Sequence, residues 1–277
     1  MVKKEIETNN PCLCKLCHQL KELQLSHAIP NSVFKAIKKK NSGKLILLSG
    51  NDNEIVYSSD SLAEYQLCSV CEKKLNENYE AYALTLLRSL DKSITKVRAI
   101  EGIYLSKINS KKLILFVLSV FWRAANSAHP AYQLAELSAQ DNEYLRIAIL
   151  NDLNVPASKF SVKLAKLIDK TPTNGFSDTN LRDVIAPPVL RTGYFYESGR
   201  RSYFFIFIGL YFEVVLPPGK SFKERQTKGV LLNNKTTLCI PNIDIFEIPE
   251  FVQLMGINQK KVVDGKSRVK KTKDSPS

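Results

Sequence analysis

Residues 12–18 read CLCKLCH and residues 67–72 read LCSVCE. Each stretch carries a Cys-x-x-Cys pair, Cys14 with Cys17 and Cys68 with Cys71. A pair of this spacing forms a knuckle that offers two sulfurs from one side, and two knuckles complete a tetrahedral zinc site. Six cysteines in all, four of them so arranged, read as metal chemistry in a reducing compartment and not as a disulfide framework. Residues 12–80 are therefore expected to form a small zinc-binding module around Cys14, Cys17, Cys68 and Cys71. Cys12 and His18 flank the first pair as substitute ligands. Cys239, in a strand candidate, reads as a small core residue.

Working outward, the segment between the pairs must fold as an insert. It holds a lysine run (Lys38–Lys40), a strand candidate at Leu45–Leu48 and a partner strand at Ile55–Ser58. A helix is expected from Cys71 to about Leu90, because Leu75, Tyr79, Tyr82, Leu86 and Leu90 recur at helical spacing. Residues 100–170 read as helical, most strongly over Lys111–Asn126, with weaker helices at Asp141–Asn151 and Ser161–Asp169. The period then shortens. Thr192–Glu197, Arg201–Leu210 and Tyr211–Leu216 predict an antiparallel meander, with a turn at Glu197–Arg200 and an exposed loop over Lys220–Lys228. Val230–Leu232 and Thr236–Ile240 predict a short hairpin. The expected class is α+β, divided into a zinc-stapled finger with its helix (1–98), an α+β accessory or binding domain (99–256) and a disordered basic tail (257–277).

The chain has 277 residues and a formal net charge of +13. A basic surplus of this size favours polyanionic partners. The tail contributes seven Lys or Arg against two Asp, which reads as a solubilising end or a nucleic-acid contact. The N-terminal MVKKEIETNN lacks the apolar core of a signal peptide. The run LILFVLSVFWRAA at 113–125 is shorter than the roughly 18–20 residues a bilayer needs and contains Arg123, so a buried helix is expected. These features predict a cytoplasmic protein without a membrane segment.

The insert also contains Ser26-His27-Ala28-Ile29-Pro30, and Glu72 directly follows the second knuckle. This order of parts resembles the zinc-stapled HNH, or His-Me finger, nucleases over about the first quarter of the chain. A closer resemblance is to bacterial proteins that combine CxxC, SHxIP, LCxxCE and an FWRA-type helix, here Cys14–Cys17, Ser26–Pro30, Leu67–Glu72 and Phe121–Ala124. The HNH likeness implies a ββα finger in which a histidine ending the first strand acts as general base. Carried onto this chain, His27 is the base. Glu72 and Asn76, with Glu80 as a further ligand, hold a catalytic Mg²⁺ or Mn²⁺. These three fall at i, i+4 and i+8, along one helix side. The implied function is a metal-dependent endonuclease cutting DNA phosphodiesters, in a phage-defence or mobile-element setting under a regulatory protein partner.

The motif departs from the family where Ser26 stands in place of a ligand and Glu72 replaces the final histidine. The middle asparagine has only Asp60, Ser61 and Glu64 nearby. The same residues thus also fit an inactive zinc finger, an adaptor that binds nucleic acid or a partner protein. Farther on, Arg123 inside an apolar helix calls for a carboxylate or carbonyl partner, and His129 reads as a helix C-cap. The aromatic strands from Tyr194 to Phe212 fit a sheet core or a base-stacking platform, with Arg191, Arg200 and Arg201 beside them.

Overall fold

The computed structural model describes residues 11–40, 46–48, 62–88, 102–191, 201–217 and 229–263. Near the N-terminus, β1 (Cys12–Leu13) pairs antiparallel with β2 (Leu20–Lys21). β3 (Leu23–His27), α1 (Asn31–Lys40) and β4 (Ile46–Leu47) follow. β5 (Ala63–Cys68) returns to pair antiparallel with β3, placing Ser26 opposite Glu64 and His27 opposite Ala63. From its end, α2 (Ser69–Leu75), a π turn over Asn76–Glu80 and α3 (Ala81–Arg88) run on with helical backbone angles at both junctions.

The rest of the chain builds one sheet and its covering helices. In order these are β6 (Gly102–Ser106), α4 (Ser110–Ala125), α5 (Ala139–Leu150), β7 (Ser161–Ile168), α6 (Asp178–Arg182) and β8 (Val184–Leu190). Then come β9 (Arg201–Phe207), β10 (Leu210–Leu216), β11 (Val230–Leu231), β12 (Thr237–Asp244) and α7 (Pro249–Val263). Strand order is β4-β8-β9-β10-β7-β12-β6, with β11 also on β7. All pairings are antiparallel except β4 with β8 and β12 with β7. The fold is α+β with a predominantly antiparallel sheet.

Both faces of the sheet are covered. Phe205, Phe207, Phe212 and Val214 pack against α4, while Phe204, Ile206 and Tyr211 lie in the second core with Phe251 and Leu254 of α7. Alternate side chains of β9 and β10 therefore enter different cores, and the strands read as unbroken apolar runs. The aromatics of these two strands are 0% exposed, so they are core and offer no stacking platform. α4 is buried around its circumference from Leu113 to Ala124, as a helix apolar on every side must be. Asn109 starts it by accepting from the Lys112 amide at 3.0 Å. One hydrophobic cluster runs from Cys14 and Leu16 through Leu75 and Tyr79 to α4 and the sheet, so the core is continuous across the expected boundary at 98.

Several expectations are corrected. Ser161–Ile168 is strand β7, not a helix, and Gly102–Ser106 is also a strand. The run SVKLAKLI carries no local signal that separates strand from helix, and its neighbours β10 and β12 decide its state. Residues 230–231 and 237–244 do not pair with each other; β11 joins β7, and β12 joins β6 and β7. The hairpin between β9 and β10 turns at Ile208 and Gly209, whose φ values of 52° and 74° suit a two-residue loop. Residues 257–263, expected in the tail, are instead the last turns of α7, and Asn258 is buried there. The partner strand at 55–58, the strand at 192–197, the turn at 197–200, the loop at 220–228 and residues 264–277 lie outside the described residues.

Candidate metal centre

The β1–β2 ribbon bends through the first knuckle. The Cys14 amide donates to the Gln19 carbonyl and the His18 amide to the Cys14 carbonyl, both at 2.9 Å. His18 takes a φ of 55°, the left-handed step that lets the chain turn back behind Cys17. The second knuckle joins strand to helix, with Cys68 ending β5 and Cys71 in the first turn of α2. The two are sewn together by the Lys15 amide donating to the Gln66 carbonyl at 3.0 Å.

The four sulfurs all lie within 4.8 Å of one another, and Cys17 Sγ is 3.9 Å from Cys68 Sγ. Zinc–sulfur bonds of about 2.3 Å in a tetrahedron separate sulfurs by about 3.8 Å, so the site has the size of a zinc tetrathiolate. None of the four forms a disulfide. Cys14 is already prepared to be a thiolate. A hydrogen bond from the Cys71 thiol holds its pKa down to about 4 against the cost of burial, aided by the amides of Cys17, Cys68 and Leu16. Cys71 is pushed up because it is the donor in that bond and because it is buried; burial also raises Cys17. Among the described residues no other group of His, Cys, Asp or Glu is arranged to hold an ion. Cys12 is exposed and outside the cluster.

Side chains far along the sequence clamp this centre. Arg146 on α5 donates to the Leu16 carbonyl at 2.7 Å and is held by Glu143 at 2.6 Å, close enough to Cys17 for their charges to interact. Lys15 donates to the Asn126 carbonyl at 2.5 Å, and the Tyr79 hydroxyl to the Ile149 carbonyl at 2.9 Å. No sequence pattern signals Arg146, which lies 130 positions from its acceptor.

No family model matches the chain, and no curated protein or solved structure matches it.

The expected catalytic residues are not brought together as one ligand set: Glu72 follows Cys71 directly, while His27 is at the far end of β3 from the Leu23–Cys68 pairing. His27 ends β3, with its ring 6.4 Å from that of Phe34. Ser26 is buried; its hydroxyl accepts from the Leu67 amide at 3.2 Å. Glu72 reaches back from α2 to the Ser26 hydroxyl, and its Oε1 is buried without a hydrogen-bond partner. Burial raises the Glu72 pKa, opposed by the charge of Arg123 and by Ser26. Glu80 accepts from Arg123 Nη2 at 2.6 Å, and Arg123 is 1% exposed. Asn76 is exposed. Between the two lies the π turn over Asn76–Glu80, with Asn76 facing solvent at its start and Glu80 bonded to Arg123 at its end.

Two further residues act as braces. Glu64 accepts from Ser127 Oγ at 2.6 Å and the Ala128 amide at 2.8 Å. Burial pushes its pKa up, but these bonds, with Lys15 and the His129 amide, hold it below the usual carboxylate value. His129 caps the start of a 3₁₀ turn, its Nδ1 accepting from the Ala131 amide at 3.1 Å. That corrects the expected C-cap. No helix among the described residues is long and apolar enough to cross a membrane.

Proposed function

We propose that the chain is a zinc-stapled nucleic-acid-binding protein whose HNH-like finger holds without cutting. The observation that carries the choice is Arg123, 1% exposed and 2.6 Å from Glu80. Its charge also bears on Glu72. A guanidinium is therefore bonded to Glu80, one of the carboxylates a catalytic divalent ion would need, and its charge reaches Glu72. It supplies positive charge but no exchangeable position for water or a phosphate oxygen, which metal-assisted hydrolysis requires. The order β3, β5, α2, with His27 at the end of β3, supports the likeness to the HNH scaffold, although α1 and β4 interrupt it. The net charge of +13 supports a polyanionic partner, and DNA is the first to test.

The experiment pairs two readouts on the zinc-loaded protein: binding of labelled DNA across a salt series, and integrity of supercoiled plasmid with Mg²⁺ or Mn²⁺. Salt-sensitive binding and intact plasmid are expected. Absence of binding at low salt refutes the nucleic-acid reading. Nicking that needs both the divalent ion and His27 replaces it with a second reading, the metal-dependent endonuclease. That reading has its own support in Glu72, whose buried Oε1 has no hydrogen-bond partner and whose carboxylate meets the strand bearing His27. Glu72 would then hold the Mg²⁺ or Mn²⁺, and His27 would take the proton from water.

A further inference from the structure

We infer that a basic cleft beside the start of α4 takes the phosphodiester backbone of a bound nucleic acid. This rests on the nucleic-acid reading above and deepens it. A cleft of about 380 Å³ is bounded by Tyr82, Lys107, Asn109, Lys111, Asn154 and Lys235. A second hollow of about 320 Å³ shares Ile108, Ser110 and Lys235 with it, so the concave surface continues toward β11 and β12. That is room for a stretch of chain, not for a single phosphate.

The charge in the cleft comes from side chains. Lys111 is paired with Asp152 at 2.9 Å, and Lys112 lies over the Tyr82 ring at 5.8 Å from its centroid. Lys107 and Lys235 are exposed and meet no carboxylate among the described residues. They are not on flexible ground. The Ile108 amide donates to the Thr236 carbonyl at 3.0 Å, and Ser106 pairs with Thr237 in the β6–β12 ladder. Two ammonium groups that meet no carboxylate among the described residues are thus held on adjoining strand ends that line the concavity.

The end of α4 is not the source of this field. Its Lys112 amide is already taken by the Asn109 side chain, and the Asn109 amide donates to the Tyr82 hydroxyl at 2.6 Å. Among the described residues Asp152 is the carboxylate paired with these groups, and Lys111 neutralises it. Asn154 and Asn234 add neutral amides to the lining. Lysines and amides without surplus carboxylate suit a run of phosphates and sugars. The lysines on α1 are the rival surface, with Lys35 and Lys39 exposed on the outside of that helix.

The test uses full-length, zinc-loaded protein and a labelled oligonucleotide, with affinity measured by anisotropy at several salt concentrations. Lys107→Gln/Lys235→Gln is compared with Lys35→Gln/Lys39→Gln on α1. Two lost phosphate contacts should lower affinity about tenfold and reduce the slope of log K against log salt by about two, while the α1 variant stays at the wild-type value. Unchanged zinc content and melting temperature certify the fold of both variants. Wild-type binding that survives loss of Lys107 and Lys235 overturns the cleft and leaves the nucleic-acid reading standing. Equal losses in the two variants also overturn it, since net charge alone would then explain the binding. Displacement of the oligonucleotide by polyaspartate at equal charge assigns the cleft to acidic peptides instead. A wild-type protein that binds no nucleic acid sinks both readings together.

Discussion

Replacing Arg123 with Met tests the reasoning about the buried cation most directly. Met keeps the apolar stem that packs within α4 and removes the guanidinium. Left behind are Glu80, whose side chain is 13% exposed, the buried Glu72 oxygen without a partner and the Ser119 carbonyl that accepts from Arg123 Nε. Breaking a buried ion pair by removing one partner costs about 3–5 kcal/mol, because the remaining charge stays desolvated. About 4 kcal/mol is expected here, or a melting temperature lower by roughly 10 °C. Removing both partners should behave differently. Arg123→Met/Glu80→Met takes away the orphan charge with its cation, and should recover all but about 1 kcal/mol of the loss. Urea denaturation of wild type, both single variants and the double variant closes a mutant cycle, with zinc content measured in each. A single-variant loss under about 1 kcal/mol, or a double variant no more stable than Arg123→Met, would show that the pair does not neutralise this site.

Three further outcomes follow from the same geometry. Purified protein should carry one tightly bound zinc per chain, and Cys68→Ser should lose both the metal and the fold of the ribbons, since metal binding and folding share one free energy; folded protein without zinc would refute the tetrathiolate. Glu64 has a lowered pKa, so its bonds stabilise the fold above the unfolded carboxylate value of about 4.3 and cease to do so as pH falls through the folded value. Glu64→Gln should thus cost about 1.5–3 kcal/mol at pH 7, the gap to wild type closing in strong acid, and denaturation curves parallel at all pH values would be the contrary result. Deleting 264–277, which removes Lys266, Arg268, Lys270, Lys271 and Lys273, should flatten the salt dependence of DNA binding if that segment meets phosphate; an unchanged slope assigns it to solubility.

The sequence alone determined the parts whose chemistry is local. A Cys-x-x-Cys pair carries its knuckle within four residues, and two pairs suffice to name the four cysteines that the fold brings within 4.8 Å of one another. The helix at 110–125 was legible because an apolar run of that length has few other ways to bury itself. The aromatic strands on either side of Gly209 were legible for their β-branched and aromatic content. Tertiary structure decided the rest. SVKLAKLI is a strand because β10 and β12 lie on either side of it, and nothing in its own spacing excluded a helix. Asn76 faces solvent while Glu80 meets Arg123, and no motif announces the π turn that joins them. Arg123 finds Glu80 across 43 positions and Arg146 finds Leu16 across 130; the cleft draws Tyr82, Lys107, Asn154 and Lys235 from four separate segments. A ligand's identity follows from its own side chain, but its partners and the cost of its burial depend on what the folded chain sets opposite it, and that pairing is a property of distance in space, not in sequence.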